Sequence, residues 1–239
     1  MNKIILITGT SRGIGKALTT HFLSKGHTII ANYHSTRMYI SFAYRSNVLP
    51  IQGDITDKDF LITMVNEIQN RYGKIDVLIN NAGVCGPLKI QDSDLCAWAS
   101  TWQAMFAVNL FGAVNLTNLA VRKLMGRGSR VINICSRVAF KGESGCSHYA
   151  ASKAALLNFT RSMAVELAPD GISFFSVSPC WVDTDMARQF DLTHALDDIP
   201  LNRMAKCEDI IPVVDYLVES NVEFQTGANF DVNGGSYFH

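Results

Sequence analysis

Short runs of apolar, largely β-branched residues alternate along the chain with longer stretches in which apolar residues recur every three or four positions. The first pattern predicts buried strands, and the second predicts amphipathic helices. Predicted strands occupy residues 4–7, 28–32, 48–52, 77–80, 131–135, 172–178 and 229–232. Predicted helices occupy residues 15–25, 57–72, about 98–125, 149–167 and about 209–219.

This alternation of strands and helices predicts a parallel sheet whose strands are joined by right-handed helical crossovers. The strands are continuous apolar runs, which is typical of a sheet covered by helices on both faces. The sequence shows no internal repeat or linker, so we predict the α/β class, with a single Rossmann-like doubly wound domain over residues 1–239. Residues 33–47 fit this scheme least well, because an aromatic-rich stretch stands where a charged helix is expected.

Composition and charge narrow the function classes. The 239 residues are 48% hydrophobic and 18% charged, which is an ordinary globular composition. Lys and Arg together number 21, as do Asp and Glu, and this zero net charge argues against a protein that grips nucleic acid. The first apolar run is too short for a signal-peptide core, and no run reaches the roughly 18 residues needed to cross a bilayer. We therefore expect a cytoplasmic protein with no membrane partner.

The six cysteines include no pair spaced as C-x-x-C. We expect them to be reduced, mostly buried thiols, with disulfides as the less favoured alternative.

A glycine-rich segment, TGTSRGIG at residues 8–15, follows the first predicted strand and opens the first predicted helix. Glycines permit a tight turn and a close backbone approach to a pyrophosphate, and the helix N-terminus supplies free N–H groups. In this strand–turn–helix context the segment predicts a dinucleotide site. An ordinary strand-to-helix turn is the alternative.

A second group of polar residues has the spacing of an acid/base site. Tyr149 and Lys153 lie four positions apart on one predicted helix, so their side chains share a face, and Ser136 lies just past the end of a predicted strand upstream. A phenol with a pKa near ~10 is a poor acid/base at neutral pH, so we expect the nearby ammonium and a positively charged nicotinamide to lower that pKa together. Taken alone, the Tyr149/Lys153 pair also fits an ordinary amphipathic surface helix.

Two further motifs carry carboxamides. The NNAG segment at residues 80–83 ends the fourth predicted strand, where adjacent carboxamides can lock neighbouring loops; a plain turn is the alternative. Asn109 stands in an apolar helical run, either as a satisfied buried group or as the holder of a water molecule.

Together these residues resemble the short-chain dehydrogenase/reductase family, and within it the 3-oxoacyl-(acyl carrier protein) reductase type, which serves fatty acid biosynthesis. The resemblance covers nearly the whole chain in order: 8–15, DITD at 54–57, 80–83, Asn109, Ser136, Tyr149 and Lys153, SP at 178–179, TDM at 184–186 and VNGG at 232–235. It implies an oxidoreductase that moves a hydride between a nicotinamide ring and a carbonyl/alcohol pair.

The resemblance also implies roles for single residues. Tyr149 is the acid/base, Lys153 binds the nicotinamide ribose and lowers the Tyr149 pKa, Ser136 orients the substrate, and Asn109 holds a water in a proton relay. No metal is needed. The implied cofactor-binding residues are Gly9, Ser11, Arg12, Gly13, Ile14, Gly15, Arg37, Asp54, Ile55, Asn81, Ala82, Gly83, Tyr149, Lys153, Pro179, Val182 and Thr184. The family usually has glycine after the proline of strand six, so Cys180 is a departure from its pattern.

We expect NADP(H) rather than NAD(H). The end of strand two carries no carboxylate for a ribose 2′-OH, and Arg12 and Arg37 can meet a 2′-phosphate instead.

The expected substrate pocket is mostly apolar and comprises Val138, Phe140, Cys146, Trp181 and Met186. It favours an apolar or amphipathic carbonyl compound, such as an acyl thioester. A sugar, a quinone or another small carbonyl compound stays open as the substrate. A dinucleotide-binding regulator or scaffold without turnover is the alternative from another class, and the intact Asn109, Ser136, Tyr149 and Lys153 argue against it.

Two expectations concern partners. The helices at 98–125 and 149–167 carry more apolar surface than one buried face needs, which favours a homotetramer or at least a dimer. An acidic acyl carrier would need a basic docking patch beside the pocket mouth, and Arg127 would supply part of it. Asp170 stands where the resembled reductases carry the second basic residue, so we expect little gain from a protein carrier. The alternative is that Asp170 is only a solvated turn residue.

Overall fold

Seven strands form one parallel sheet in the computed structural model, which describes residues 2–34, 46–190 and 196–239. The strands are β1 Ile4–Ile7, β2 Thr28–Tyr33, β3 Val48–Gln52, β4 Val77–Asn80, β5 Arg130–Ile134, β6 Ser173–Pro179 and β7 Asn229–Val232. Their order is β3-β2-β1-β4-β5-β6-β7, and every neighbouring pair is parallel. The order reverses between β1 and β4, and open α/β sheets bind their ligands at such a point.

Helices cover both faces of this sheet. They are α1 Gly13–Ser24, α2 Lys58–Tyr72, α3 Leu95–Phe106, α4 Ala113–Lys123, α5 Ser147–Leu167 and α6 Cys207–Glu219. The core side chains of α1 and α6 pack together on one face, and those of α2, α4 and the end of α5 pack on the other. The predicted α/β doubly wound fold is confirmed, with strand bounds within about two residues of the predicted ones. The single domain over residues 1–239 stays a prediction.

The continuous apolar strands follow from this layering, because successive strand residues point to opposite faces. Ile5 and Ile7 face the α1/α6 layer, whereas Leu6 between them faces the α2/α4 layer. All three side chains are fully buried, and each such burial stabilises the fold by about 1.5–3 kcal/mol.

The predicted helix over residues 98–125 is in fact two α-helices joined by a π-helical stretch, Ala107–Gly112. Stretches of π-helix are rare and are found mostly at functional sites. Asn109 lies within it and is 1% exposed. The helical run Leu95–Lys123 is long and apolar enough to cross a membrane, judged by length and composition alone. Core helices of water-soluble proteins pass the same test. Here the run packs against α2 and α5.

Two helix starts matter for the site. α1 begins at Gly13 and α5 begins at Ser147, each two residues earlier than predicted, so Tyr149 lies in the first turn of α5. Asp57 caps α2 by accepting hydrogen bonds from the N–H groups of Asp59 and Phe60, which fixes the loop after β3. Arg37, expected near the cofactor, lies outside the described residues.

Candidate active site

A cavity of about 550 Å³ opens at the carboxyl ends of β1, β4, β5 and β6. It brings together residues that lie far apart in the sequence. Of the expected site residues it is lined by Gly9, Ser11, Arg12, Gly13, Ile14, Asp54, Ile55, Asn81, Ala82, Gly83, Ser136, Val138, Cys146, Tyr149, Lys153, Pro179, Trp181, Val182, Thr184 and Met186. Gly15, Asn109 and Phe140 lie outside this lining.

Two glycines of the glycine-rich turn, Gly9 and Gly15, have no room for a side chain. Gly9 and Gly13 have left-handed φ angles of 69° and 54°. A Cβ on Gly9 would come within 2.8 Å of the Ala82 Cα, and one on Gly15 within 2.3 Å of the Gly9 carbonyl oxygen. Gly15 therefore allows close packing beneath the turn, while Gly13 and Ile14 line the cavity itself.

The N-terminus of α1 fits a bound pyrophosphate. Arg12 precedes the helix, and its side chain makes no capping hydrogen bond. The first N–H groups of the helix thus lack a side-chain acceptor at the cavity wall, where the helix dipole favours a negative charge. The turn and the helix N-terminus together fit the phosphates of a dinucleotide.

Asn81 ties β4 to the glycine-rich turn. Its Nδ2 donates to the carbonyl oxygens of Thr8 at 2.8 Å and Gly9 at 3.1 Å. The Thr8 hydroxyl oxygen in turn accepts from the backbone N–H groups of Asn81 and Ala82, each at 3.0 Å. These bonds hold Ala82 and Gly83 at the cavity wall.

The far end of the cavity is bordered by the ends of β2 and β3. Asn32, His34, Asp54 and Ile55 lie there, and Asp54 accepts a hydrogen bond from the Thr56 N–H at 2.9 Å. His34 Nε2 lies 3.8 Å from a carboxylate oxygen of Asp54. The end of β2 thus presents no carboxylate of its own.

The loop after β6 closes the other end, with Pro179, Val182 and Thr184 at the wall. Cys180 replaces the usual glycine without backbone strain, because Asn202 alone among the described non-glycine residues has a positive φ. The Cys180 N–H donates to the Val232 carbonyl at 3.2 Å, so β7 supports this loop. The departure from the family pattern therefore leaves the backbone geometry ordinary.

Tyr149, Lys153 and Ser136 meet in the middle of the cavity. The Lys153 Nζ lies 5.8 Å from the centre of the Tyr149 ring and donates to the Ile134 carbonyl at 2.8 Å. The Ser136 hydroxyl lies close enough to the Tyr149 phenol to lower the pKa of that phenol. Lys153 is 4% exposed, and its hydrogen bond to Ile134 holds the ammonium at the end of β5.

The protein groups around Tyr149 do not by themselves produce the expected lowering of its pKa. Burial raises the pKa of Tyr149, nearby thiols raise it further, and the Ser136 hydroxyl opposes this by lowering it. Burial also lowers the pKa of Lys153. The physical reason is that a buried phenolate loses more stabilisation from hydration than it gains from the contact with Ser136. Tyr149 is therefore held as a neutral phenol.

Asn109 reaches the site through the backbone of Val84. Its Oδ1 accepts from the Val84 N–H at 2.8 Å, and its Nδ2 donates to the Val84 carbonyl at 2.9 Å and to Ser152 Oγ at 3.2 Å. The side chain is thus already satisfied by protein groups. Its expected role in holding a water molecule stays a prediction. In the structure its side chain holds the loop after β4 through the two hydrogen bonds to Val84.

Phe140 corrects the expected substrate pocket. Its ring stacks on His239 at 4.0 Å and on Tyr237 at 6.1 Å, so the C-terminal residues draw it away from the cavity. Several residues outside the expected set also line the wall, among them Cys85, Arg137 and Glu143. Arg137 directly follows Ser136, but a charged residue in a loop ordinarily indicates a solvated surface. Its Nη2 lies 3.0 Å from Glu143, and its side chain is 2% exposed.

A phosphate-binding glycine turn and a buried tyrosine–lysine–serine group at the carboxyl edge of a doubly wound sheet define an oxidoreductase that uses a nicotinamide dinucleotide. The family model for short chain dehydrogenases matches residues 3–195. The chain belongs to the short-chain dehydrogenase/reductase family and is an enzyme of that family.

Similar proteins narrow the group further. The chain is 33% identical to the 3-oxoacyl-(acyl-carrier-protein) reductase of Thermotoga maritima, over 98% of this chain and 97% of that protein. It is 30% identical to the acetoacetyl-CoA reductase of Allochromatium vinosum, over 100% of both. Among solved structures, a mutant short-chain dehydrogenase/reductase of Serratia marcescens superposes with a TM-score of 0.87 at 30% identity, over 98% of this chain and 97% of that one. The chain is thus of the 3-oxoacyl reductase type within its family, and its relatives reduce carbonyl groups.

Proposed function

We propose that this chain is an NADP(H)-dependent reductase that converts a ketone to an alcohol, with a 3-oxoacyl thioester or a close mimic as substrate. The observation that carries the proposal is the meeting of Tyr149, Ser136 and Lys153 where the dinucleotide end of the cavity joins its apolar end. The names of the relatives point to the same substrate class.

The bound dinucleotide supplies the hydride. Ser136 and Tyr149, which lie side by side in the cavity wall, can both donate to one substrate carbonyl oxygen. As that oxygen gains negative charge, Tyr149 gives up its proton and an alcohol results. The buried Lys153 ammonium then lies close enough to stabilise the phenolate left behind.

The protonated state of Tyr149 suits the role of proton donor in reduction. Reduction needs a proton donor beside the carbonyl, and burial raises the Tyr149 pKa so that its phenol is protonated at neutral pH. Oxidation of an alcohol would instead need a phenolate at the start. The same geometry therefore supports the direction that the relatives' names describe.

NADP(H) is the proposed cofactor. The end of β2 bears Asn32 and His34 rather than a carboxylate, and Arg12 lines the cavity with a side chain 68% exposed. An exposed guanidinium in this position can make paired hydrogen bonds to a 2′-phosphate.

We further propose a cytoplasmic homotetramer. Phe111 and Leu95, on the helical run that ends with α4, are 54% and 79% exposed, and Val165 of α5 is 81% exposed. Symmetric copies could bury these apolar side chains against one another.

The test is oxidation of NADPH with acetoacetyl thioesters, small diketones, quinones and sugars. We expect turnover with the thioester and with compounds that mimic it. Tight NADPH binding without turnover of any of these ketones would refute the proposal and favour a dinucleotide-binding regulator.

A further inference from the structure

Two thiols face each other in the wall of the active-site cavity. Cys85 lies in the loop after β4 and Cys146 directly precedes α5, and both line the cavity that holds Tyr149. The Leu88 N–H donates to the Gly145 carbonyl at 2.8 Å, so the two loops run side by side. The two thiols lie close enough across this junction for each to shift the pKa of the other.

The contact makes the two sulfurs unequal. The interaction between the two thiols raises the pKa of Cys85 and lowers that of Cys146. Because the thiolate is the reactive form, Cys146 is the better nucleophile. Cys85 lies beside it and can attack the Cys146 sulfur once that sulfur is oxidised. A third thiol, Cys135, is different, since burial raises its pKa to about 12.

We propose that Cys85 and Cys146 are a modification site, where a reversible disulfide forms across the substrate cavity and turns the enzyme off. The oxidant is a peroxide or a small-molecule disulfide. With hydrogen peroxide, the Cys146 thiolate attacks one oxygen, the O–O bond breaks, and a sulfenic acid and hydroxide form. The Cys85 sulfur then attacks the sulfenic sulfur, and its S–H proton leaves with the departing hydroxyl as water. The thiols lose two electrons and two protons in all, and the peroxide becomes two waters.

The bond would disturb both walls beside the acid/base. Its sulfurs must approach from a non-bonded separation to about 2.05 Å, which draws the loop after β4 toward the start of α5. That loop carries Val84, which Asn109 holds at 2.8 and 2.9 Å, and the first turn of α5 carries Tyr149. The disulfide therefore strains the elements that position Tyr149 while it narrows the cavity. The loss of turnover, though not the bond itself, rests on the proposed reductase function.

The experiment uses the full-length chain, reduced and then exposed to hydrogen peroxide or oxidised glutathione. Free thiols are alkylated, and the peptides are analysed by mass spectrometry under non-reducing conditions. We expect a peptide pair joined through Cys85 and Cys146, a loss of ketone reduction of at least about tenfold, and recovery of both with dithiothreitol. Cys96→Ser is the matched control, because Cys96 is exposed on α3, and it should respond as the wild type does.

Cys85→Ala and Cys146→Ala are each compared with their own reduced form, since both side chains line the cavity. Neither should form the cross-link, and each should keep most of its own activity after oxidation. Absence of the Cys85–Cys146 peptide overturns the proposal, as does a cross-linked enzyme that remains active. If the reduced chain turns over no ketone, the reductase function and the switch both fail, while the peptide masses still decide whether the bond forms.

Discussion

Arg12 offers a sharp test of cofactor choice, because its present partner holds it only weakly. The Arg12 Nη1 lies 3.6 Å from a carboxylate oxygen of Asp185, and the two side chains are 68% and 58% exposed. Such exposed pairs contribute about 0–1 kcal/mol. Its side chain also makes no capping bond to α1, so replacing it leaves the helix start intact.

The expected magnitude follows from what Arg12 gains on meeting a 2′-phosphate. Hydrogen bonds to a charged group contribute about 1.5–3 kcal/mol, so about 1–2 kcal/mol remains after the Asp185 contact is lost. At about 1.4 kcal/mol per factor of ten, Arg12→Ala should lower kcat/KM for NADPH by about 5- to 30-fold. The value for NADH should change by less than about threefold, because that cofactor lacks the phosphate.

Initial rates with both cofactors and a fixed ketone measure this effect. Arg188→Ala is the matched control: Arg188 is also exposed and lies 3.6 Å from Asp185, yet it does not line the cavity. That variant should keep the wild-type preference. An equal fall for NADPH and NADH in Arg12→Ala, or a wild type that prefers NADH, would refute the reasoning.

Three further predictions concern the acid/base, the loop and the assembly. Burial raises the Tyr149 pKa, so reduction should proceed at a constant rate between about pH 6 and 9, below the ordinary phenol value of about 10, and Tyr149→Phe should abolish turnover but still bind NADPH; a rate that falls through pH 7 would contradict this. Asn109→Ala should lower stability by about 1–3 kcal/mol in thermal melts and lower kcat, because Val84 loses two backbone partners, whereas the exposed Asn118→Ala should do neither. Light scattering at micromolar concentration should give a tetramer mass that Phe111→Glu reduces, while Phe224→Glu, at a fully exposed site, should not; a wild-type monomer would reject the assembly.

Most of the fold could be predicted from the sequence because strands buried on both faces are written as continuous apolar runs. Ile5, Leu6 and Ile7 are the clearest case. The glycine-rich turn could be predicted for a similar reason, because Gly9 and Gly15 lie so close to neighbouring backbone atoms that only glycine fits there. These signals are local, and a local pattern survives in the sequence.

The features that escaped prediction depend on contacts between distant segments. The direction of the Tyr149 pKa shift depends on burial and on the surrounding thiols, which no spacing of Tyr149 and Lys153 encodes. Phe140 lies outside the cavity lining, where its ring stacks on the C-terminal residues Tyr237 and His239. The proximity of Cys85 and Cys146 depends on two loops that only the folded chain brings together.

The same reasoning revises the expected carrier-docking patch. Arg127 precedes β5, and Asp170 precedes β6, so both lie at the amino edge of the parallel sheet, whereas the cavity opens at the carboxyl edge. Their turns adjoin, since the Gly128 N–H donates to the Gly171 carbonyl at 2.8 Å and Arg127 Nη2 donates to the Pro169 carbonyl at 3.1 Å. The expectation of a patch beside the pocket mouth is therefore wrong for a single chain.

Little benefit from a protein carrier is still expected, now for two reasons. Arg127 is remote from the cavity mouth of its own chain, and the neighbouring Asp170 adds a negative charge that repels an acidic partner. We expect kcat/KM for an acetoacetyl group on the carrier to lie within about threefold of that on a small thiol, with little change between low and moderate salt. Arg127→Glu should leave both values unchanged. A large preference for the carrier, weakened by salt and by Arg127→Glu, would show instead that this edge of the sheet does dock the carrier, with the acyl group delivered to the cavity of another copy of the chain.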